Sequence, residues 1–346
     1  MTRRKTTGRT STKYSHPVLS SSATCRISVA FISAFLQAPA FFSSCGHPLV
    51  SENVPIGTQI YIQWTKNTTP ATIDLFFFDT LGAQKLDSYQ QIIRPEGAAH
   101  TYGVSGAGAK RMVAFSGTAG VTDPWLDISN YGSLCKKTFR LEEENPGAPH
   151  LVAEALLPDA ASRTYLLNLQ PMLSHIRLVS VSCDFSGRPY HDPAFLCSSI
   201  YLTNVATEYK PLGPGGGHPV SWINAGSLDS VATRALPHPE LILRPGLGRV
   251  VRDKQSPNLL FSCYANPAGR GDIPRTRLVL EGTVDGIRCY YPIEIPSLDP
   301  AKEYQLSLTL KRMGSPDPDI PVRSDAVLVE TQTVPWQMRE TQTVTF

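Results

Sequence analysis

Residues 276–295 read TRLVLEGTVDGIRCYYPIEI, two β-branched and aromatic runs joined by Asp285-Gly286. Ile287, Cys289, Tyr291, Ile293 and Ile295 recur at every second position, the period that puts side chains on one face of a strand. Asp-Gly supplies the positive backbone angles that a two-residue hairpin turn requires, so the stretch predicts an antiparallel hairpin. Residues 303–312, EYQLSLTLKR, repeat the pattern. Tyr304, Leu306, Leu308 and Leu310 fall on one face, with Glu303, Gln305, Ser307, Thr309 and Lys311 opposite. Strands of this kind must bury one side against another layer, which constrains the chain to packed sheets.

Further strand signals run the length of the sequence. TQIYIQW (58–64) alternates, and TIDLFFF (72–78) is a compact apolar run closed by the turn Asp79-Thr80-Leu81-Gly82. RMVAFSG (111–117), IRLVSVSCDF (176–185), SIYLTNV (199–205) and LLFSCYA (259–265) follow. The 29 prolines and 25 glycines have no period and act as punctuation between short segments. Helical signal is confined to one short helix expected after Asp123, with Pro124 in its first turn. The fold class is all-β, two β-sandwich domains of Greek-key, transthyretin-like type in tandem. The expected division is a leader over 1–44, a tether over 45–55, one sandwich over 56–169 and a second over 170–346. Gly213-Pro214-Gly215-Gly216-Gly217 reads as a loop within the second. The pentapeptide ETQTV occurs at 330–334 and at 340–344, too little to indicate a repeat architecture.

The front of the chain has a separate logic. Arg3, Arg4, Lys5, Arg9, Lys13 and Arg26 precede an apolar run, Ile27 to Phe42, which is shorter than the roughly 20 residues that span a bilayer. It stops at Ser43-Ser44-Cys45, and no acidic residue occurs before that cysteine. A basic front, a short apolar middle and a small-residue end are the parts of an export signal. Phe42-Ser43-Ser44-Cys45 is similar to a bacterial lipobox, whose cysteine thiol receives a diacylglycerol, although Leu is usual where Phe42 stands. The expected lipidation site is Cys45. Without the six basic residues of the leader the remainder has 26 basic and 29 acidic residues, a net charge of −3. That surface offers no electrostatic footprint for nucleic acid.

A catalytic site is hard to find. Gly103-Val104-Ser105-Gly106-Ala107 lacks the last glycine of a nucleophile elbow, and no HExxH is present. GPGGGH is followed by no Lys-Ser/Thr, SPDPD (315–319) reads as a turn, and so does Tyr190-His191-Asp192. Arg270-Gly271-Asp272 is a single short match. Cys135, Cys183, Cys197, Cys263 and Cys289 show no CxxC and no zinc spacing. They read as small buried hydrophobes, with a Cys183–Cys197 bridge left open. No enzyme, metal or cofactor is expected.

SIYLTNVATEYKPLG (199–213), LDSYQ (86–90), TRLVLEG…YYPIEI (276–295), KRMGSPDPDIPV (311–322) and Trp336 near the C-terminus together resemble one group. It is the fimbrillin-like lipoproteins of Bacteroidales, pilus subunits of the FimA and FimB type. The resemblance covers nearly the whole mature chain. It implies two β-sandwiches, a lipidated precursor delivered to the cell outer membrane and surface, and assembly with other fimbrial subunits by strand exchange. Stalk subunits of the family carry an arginine after their first strand, where a protease cuts. Here no arginine lies between Cys45 and Arg94, and the only basic residues there are Lys66 and Lys85. Cutting at Arg94 would remove about two strands on this reading, which favours an anchor or accessory subunit. ETQTVTF (340–346) is the candidate exchanged strand, with Val344 and Phe346 two apart and facing one side. The competing reading is a surface lipoprotein that binds a glycan or host protein, with Trp125 and Trp222 as candidate contacts. An extracytoplasmic hydrolase ranks below both.

Overall fold

In the computed structural model, Ile73 through Phe78 are all buried, so this short segment is covered on both of its faces. That is why its sequence runs apolar without alternation. The structure describes residues 59–345 except 66–70, 94–108, 119–124, 158–163, 215, 268–273, 324, 336 and 337. All described elements belong to one compact unit, Asn53–Phe346.

The elements begin with β1 (Gln59–Thr65), β2 (Thr72–Asp79), β3 (Leu86–Ile93) and β4 (Lys110–Ser116). A single-turn helix α1 (Tyr131–Leu134), β5 (Phe139–Arg140), β6 (Leu151–Leu157), β7 (Thr164–Asn168) and β8 (Gln170–Pro171) follow. Next come β9 (Leu173–Cys183), β10 (Phe195–Thr203), β11 (Val205–Lys210), β12 (His218–Ile223) and α2 (Ser230–Ala235). The chain ends with β13 (Leu243–Val250), β14 (Leu259–Tyr264), β15 (Arg277–Val284), β16 (Ile287–Glu294), β17 (Lys302–Leu310), β18 (Val327–Pro335) and β19 (Met338–Thr345).

The all-β expectation is met, as two sandwiches joined by a small sheet. In the first, a three-stranded sheet β19-β1-β7 covers a five-stranded sheet β3-β2-β4-β6-β8. Ile60, Ile62 and Trp64 meet Ile73, Leu75, Phe77, Met112 and Ala114 in the core between them. In the second, β14-β9-β17-β18 covers β13-β10-β15-β16, and Ile176, Leu178, Leu306 and Leu308 pack with Ile200, Leu278 and Tyr291. Sheet β12-β11-β5 lies between. The outer face of the five-stranded sheet, Phe76, Phe78, Val113 and Phe115, is continuous with the second core through Tyr131, Leu134 and Phe139.

The hairpin at Asp285-Gly286 forms as expected, with φ of 53° and 77° and Val284 opposite Ile287. Asp123 and Pro124 lie outside the described residues, and residues 125–129 are not part of the helix. It starts after Asn130, whose side chain accepts a hydrogen bond from the Ser133 backbone N–H while Ser133 Oγ accepts from the Asn130 N–H. This reciprocal pair satisfies two free donors at once. All five described cysteines are buried free thiols, so Cys183 and Cys197 are not bridged. Burial pushes Cys183 and Cys263 up to about 12 and Cys197 up to about 11.

A buried carboxylate–imidazole pair stands at the junction of the sandwiches. Glu144 Oε1 lies 2.9 Å from His150 Nδ1, and Glu144 Oε2 accepts from the His150 backbone N–H at 3.1 Å. The His150 ring packs against Phe139, and Tyr209 stacks on Tyr264 at 5.2 Å nearby. Burial alone would lower the His150 pKa, but the hydrogen bond and charge of Glu144 outweigh it and the value is raised.

Two tests follow from this architecture. Gly286 has a positive φ, so Gly286→Val places a β-branched side chain in a conformation it resists. The expected loss of stability is about 1–3 kcal/mol, measured by denaturant unfolding, whereas Gly286→Asn should cost much less. For His150, the folded pKa lies above the unfolded value of about 6.5. Its stabilising contribution is therefore full below that pH and lost as pH rises through the folded value. The melting temperature of the native chain should fall as pH rises above about 6.5, and His150→Gln should flatten that fall.

Candidate functional site: the β1 seam and an aromatic cleft

β1 is the middle strand of its sheet. It runs antiparallel to β19 from Gln59↔Thr345 to Thr65↔Met338, with an irregularity between Trp64 and Thr65. On its other side it runs parallel to β7, from Gln59↔Thr164 to Gln63↔Asn168. The two flanking strands come from distant parts of the sequence, so β1 is the only link between them in this sheet. Alternation explains its position: Ile60, Ile62 and Trp64 are buried together. β18 is the edge of the second sandwich, and two residues later the chain returns to the first sandwich as β19. The two copies of ETQTV thus occupy different sheets, Glu330–Val334 opposite β17 and Glu340–Val344 opposite β1.

Of the residues singled out in the sequence, Cys45 and Phe346 lie outside the described residues. Val344 stands opposite Ile60. Because Leu86–Ile93 is a strand, cutting at Arg94 would remove three strands, β1 to β3, rather than two.

The other motifs have structural roles. Arg249 binds the Asp192 carboxylate through both terminal nitrogens at 2.6 Å, and Asp285 accepts from the backbone N–H groups of His191 and Asp192. SPDPD is a turn in which Asp317 accepts from the Asp319 N–H. Arg270-Gly271-Asp272 lies outside the described residues. Arg177 donates to both oxygens of Glu303 at 2.7 and 2.8 Å, and with His175 it holds that carboxyl well below the usual range. Burial lowers the His175 pKa. These groups join β9 to β17. Among the described residues no three His, Cys, Asp or Glu side chains converge as a metal site.

A cleft of about 580 Å³ lies on the outer face of the first sandwich, lined by Phe76, Leu86, Tyr89 and residues 125–129. Phe76 meets Tyr89 at 4.9 Å and Trp125 at 5.0 Å, and Phe115 meets Trp125 at 4.8 Å. Beneath it Asp74 is completely buried in β2. Its Oδ1 accepts from Tyr89 Oη at 2.7 Å and Gln91 Nε2 at 3.0 Å, and its Oδ2 accepts from Thr118 Oγ1 at 2.6 Å. Neutral donors alone satisfy this carboxylate among the described residues. Trp222, the other sequence candidate, is half-buried in β12 and takes no part in the cleft. Sequence reading missed Asp74 and Tyr89. The signal was present as a lone carboxylate in the apolar run IDLFFF.

No family profile and no curated protein matches the chain. Solved structures do match. A protein assigned to cell adhesion from Bacteroides eggerthii DSM 20697 superposes with a TM-score of 0.60 at 15% identity, over 85% of this chain and 99% of its own. A second, from Parabacteroides distasonis ATCC 8503, gives 0.60 at 11% identity over 82% and 98%. The fimbrilin FimA from Porphyromonas gingivalis W83 gives 0.55 at 12% identity over 81% and 98%. The chain has the fimbrillin-like fold. At such low identity the shared property is the backbone arrangement of the fimbrillin-like sandwiches. The β1 seam and the aromatic cleft are therefore read from this chain's own residues.

Proposed function

We propose that this chain is a structural and adhesive subunit of a cell-surface fimbria, non-enzymatic, in an anchor or accessory position. It is held at the outer membrane by a lipid on Cys45 and joined to other subunits by exchange of its C-terminal strand. The proposed division of the chain runs near Leu169, with β8 and β19 belonging to the sheets of the first sandwich. The observation that carries the reading is the pairing of β19 with β1, because the last strand leaves its neighbours in sequence and completes a distant sheet. A terminal strand held by main-chain hydrogen bonds to a single partner can pair in the same register with another copy's β1. Support for the anchor position comes from the missing arginine. A cut at Arg94 would carry away β2, and with it Leu75 and Phe77 of the core. A second reading, ligand binding at the surface of the same scaffold, is favoured by the aromatic cleft.

Deleting residues 340–346 tests strand exchange. The truncated chain should fold and reach the membrane yet fail to join fimbriae, read by cell fractionation and electron microscopy. A truncated chain that unfolds, or one that assembles normally, overturns the exchange. Cys45→Ala tests the anchor. Metabolic fatty-acid label should disappear from the protein and the chain should leave the membrane fraction, whereas retained label with unchanged attachment rules the lipid site out.

A further inference from the structure

We propose that the cleft between β3 and residues 125–129 is a binding site for a neutral pyranose sugar. The inference rests on the second reading above and is independent of strand exchange. Its walls are aromatic, and its rim sets the polar Asp127 and Ser129 beside Leu126 and Ile128. Tyr89 is 42% exposed, yet its hydroxyl is tied to the buried Asp74, so the ring is a fixed surface and not a free side chain. Phe76 and Trp125 continue the aromatic wall.

The rim is a turn in which the Ile128 N–H donates to the Trp125 carbonyl, with Asp127 at φ 70°. Glycine or asparagine is the common occupant of such a position, and here a carboxylate stands there. Asp127 is exposed and has no partner among the described residues, and the Ser129 hydroxyl lies beside it in the lining. The turn is held by Lys137 Nζ, 3.4 Å from the Leu126 carbonyl, and by the Leu86 N–H on the Ser129 carbonyl.

These features select the ligand. A pyranose ring offers C–H faces that pack on aromatic rings and equatorial hydroxyls that donate to a carboxylate. No lysine or arginine lines the cleft among the described residues, and Asp127 adds negative charge, which disfavours an anionic ligand. An acyl chain would leave that carboxylate facing hydrocarbon. An added peptide strand is blocked at the start of β3, because Gln84 and Leu86 already pair with Tyr131 and Ser129.

The test uses the purified chain with the methyl pyranosides of glucose, galactose and N-acetylglucosamine, and with dodecanoate as an apolar probe. Binding is read by saturation-transfer NMR and by indole fluorescence. At least one pyranoside should bind in the millimolar range. Asp127→Gly keeps the turn geometry and removes the carboxylate, and should weaken binding at least about tenfold with an unchanged melting curve. Tyr89→Phe keeps the ring but releases it from Asp74 and should also weaken binding, while Trp125→Phe should abolish the fluorescence response. Failure of all three sugars to bind, binding that survives both Asp127→Gly and Trp125→Ala, or binding of dodecanoate in preference to the sugars would overturn the proposal. Fimbrial assembly of Asp127→Gly, followed in parallel, should be normal, which separates this site from the strand-exchange reading.

Discussion

Two-sided burial of β2 is the constraint on which the rest of the first sandwich depends. Ile73, Leu75 and Phe77 point inward to β1, while Phe76 and Phe78 point outward to Tyr131, Phe139 and the second core. Each fully buried phenylalanine contributes about 1.5–3 kcal/mol, so one strand fastens the β1 sheet on one side and the second sandwich on the other. The alternation of a strand does this with no extra residues. It also places the β1 sheet and the aromatic cleft on opposite faces of one short segment.

Asp74 is the exception within that strand. A buried carboxylate satisfied by neutral donors is costly relative to an apolar residue that could fill the same place. The three donors, from Tyr89, Gln91 and Thr118, offset that cost and in return have their own positions fixed. Rigidity at the cleft is thus derived from a polar contact beneath it. The Glu144–His150 pair does the same at the sandwich junction, pinning the segment before β6 through both a side chain and a backbone N–H.

The sequence shows best those parts whose pattern is local. The hairpin at Asp285-Gly286, the alternation of β17 and the apolar run of β2 all appear in the structure where the residues put them. The helix was displaced because Asp123-Pro124 imitates a start signal, while Asn130 and Ser133 form the reciprocal cap. β13 was invisible, since its LRPGLGRV carries Pro245, Gly246 and Gly248. It is an edge strand, where a missing donor is tolerated, and a Cβ on Gly246 would stand 2.2 Å from the Cys197 carbonyl. Neither the cleft nor the pairing of β19 with β1 has a local signature. Each is made by segments far apart in the chain, and identical ETQTV segments carry no label for which sheet they join.

The five buried thiols have a further consequence. Disulfide exchange proceeds through the thiolate, and burial holds Cys183 and Cys263 at about 12, where almost none is ionised at neutral pH. No two of the five are bridged. In an oxidising compartment the completed fold therefore resists scrambling without any reductant. The unfolded chain has no such protection, because its cysteines return to ordinary acidity and meet one another freely. In such a compartment the hazard is a race between sheet formation and oxidation, and all-β topologies with long-range pairing form slowly. Its resistance to wrong disulfides is set by the time spent unfolded, and ends as a concern once the strands close over the sulfur atoms.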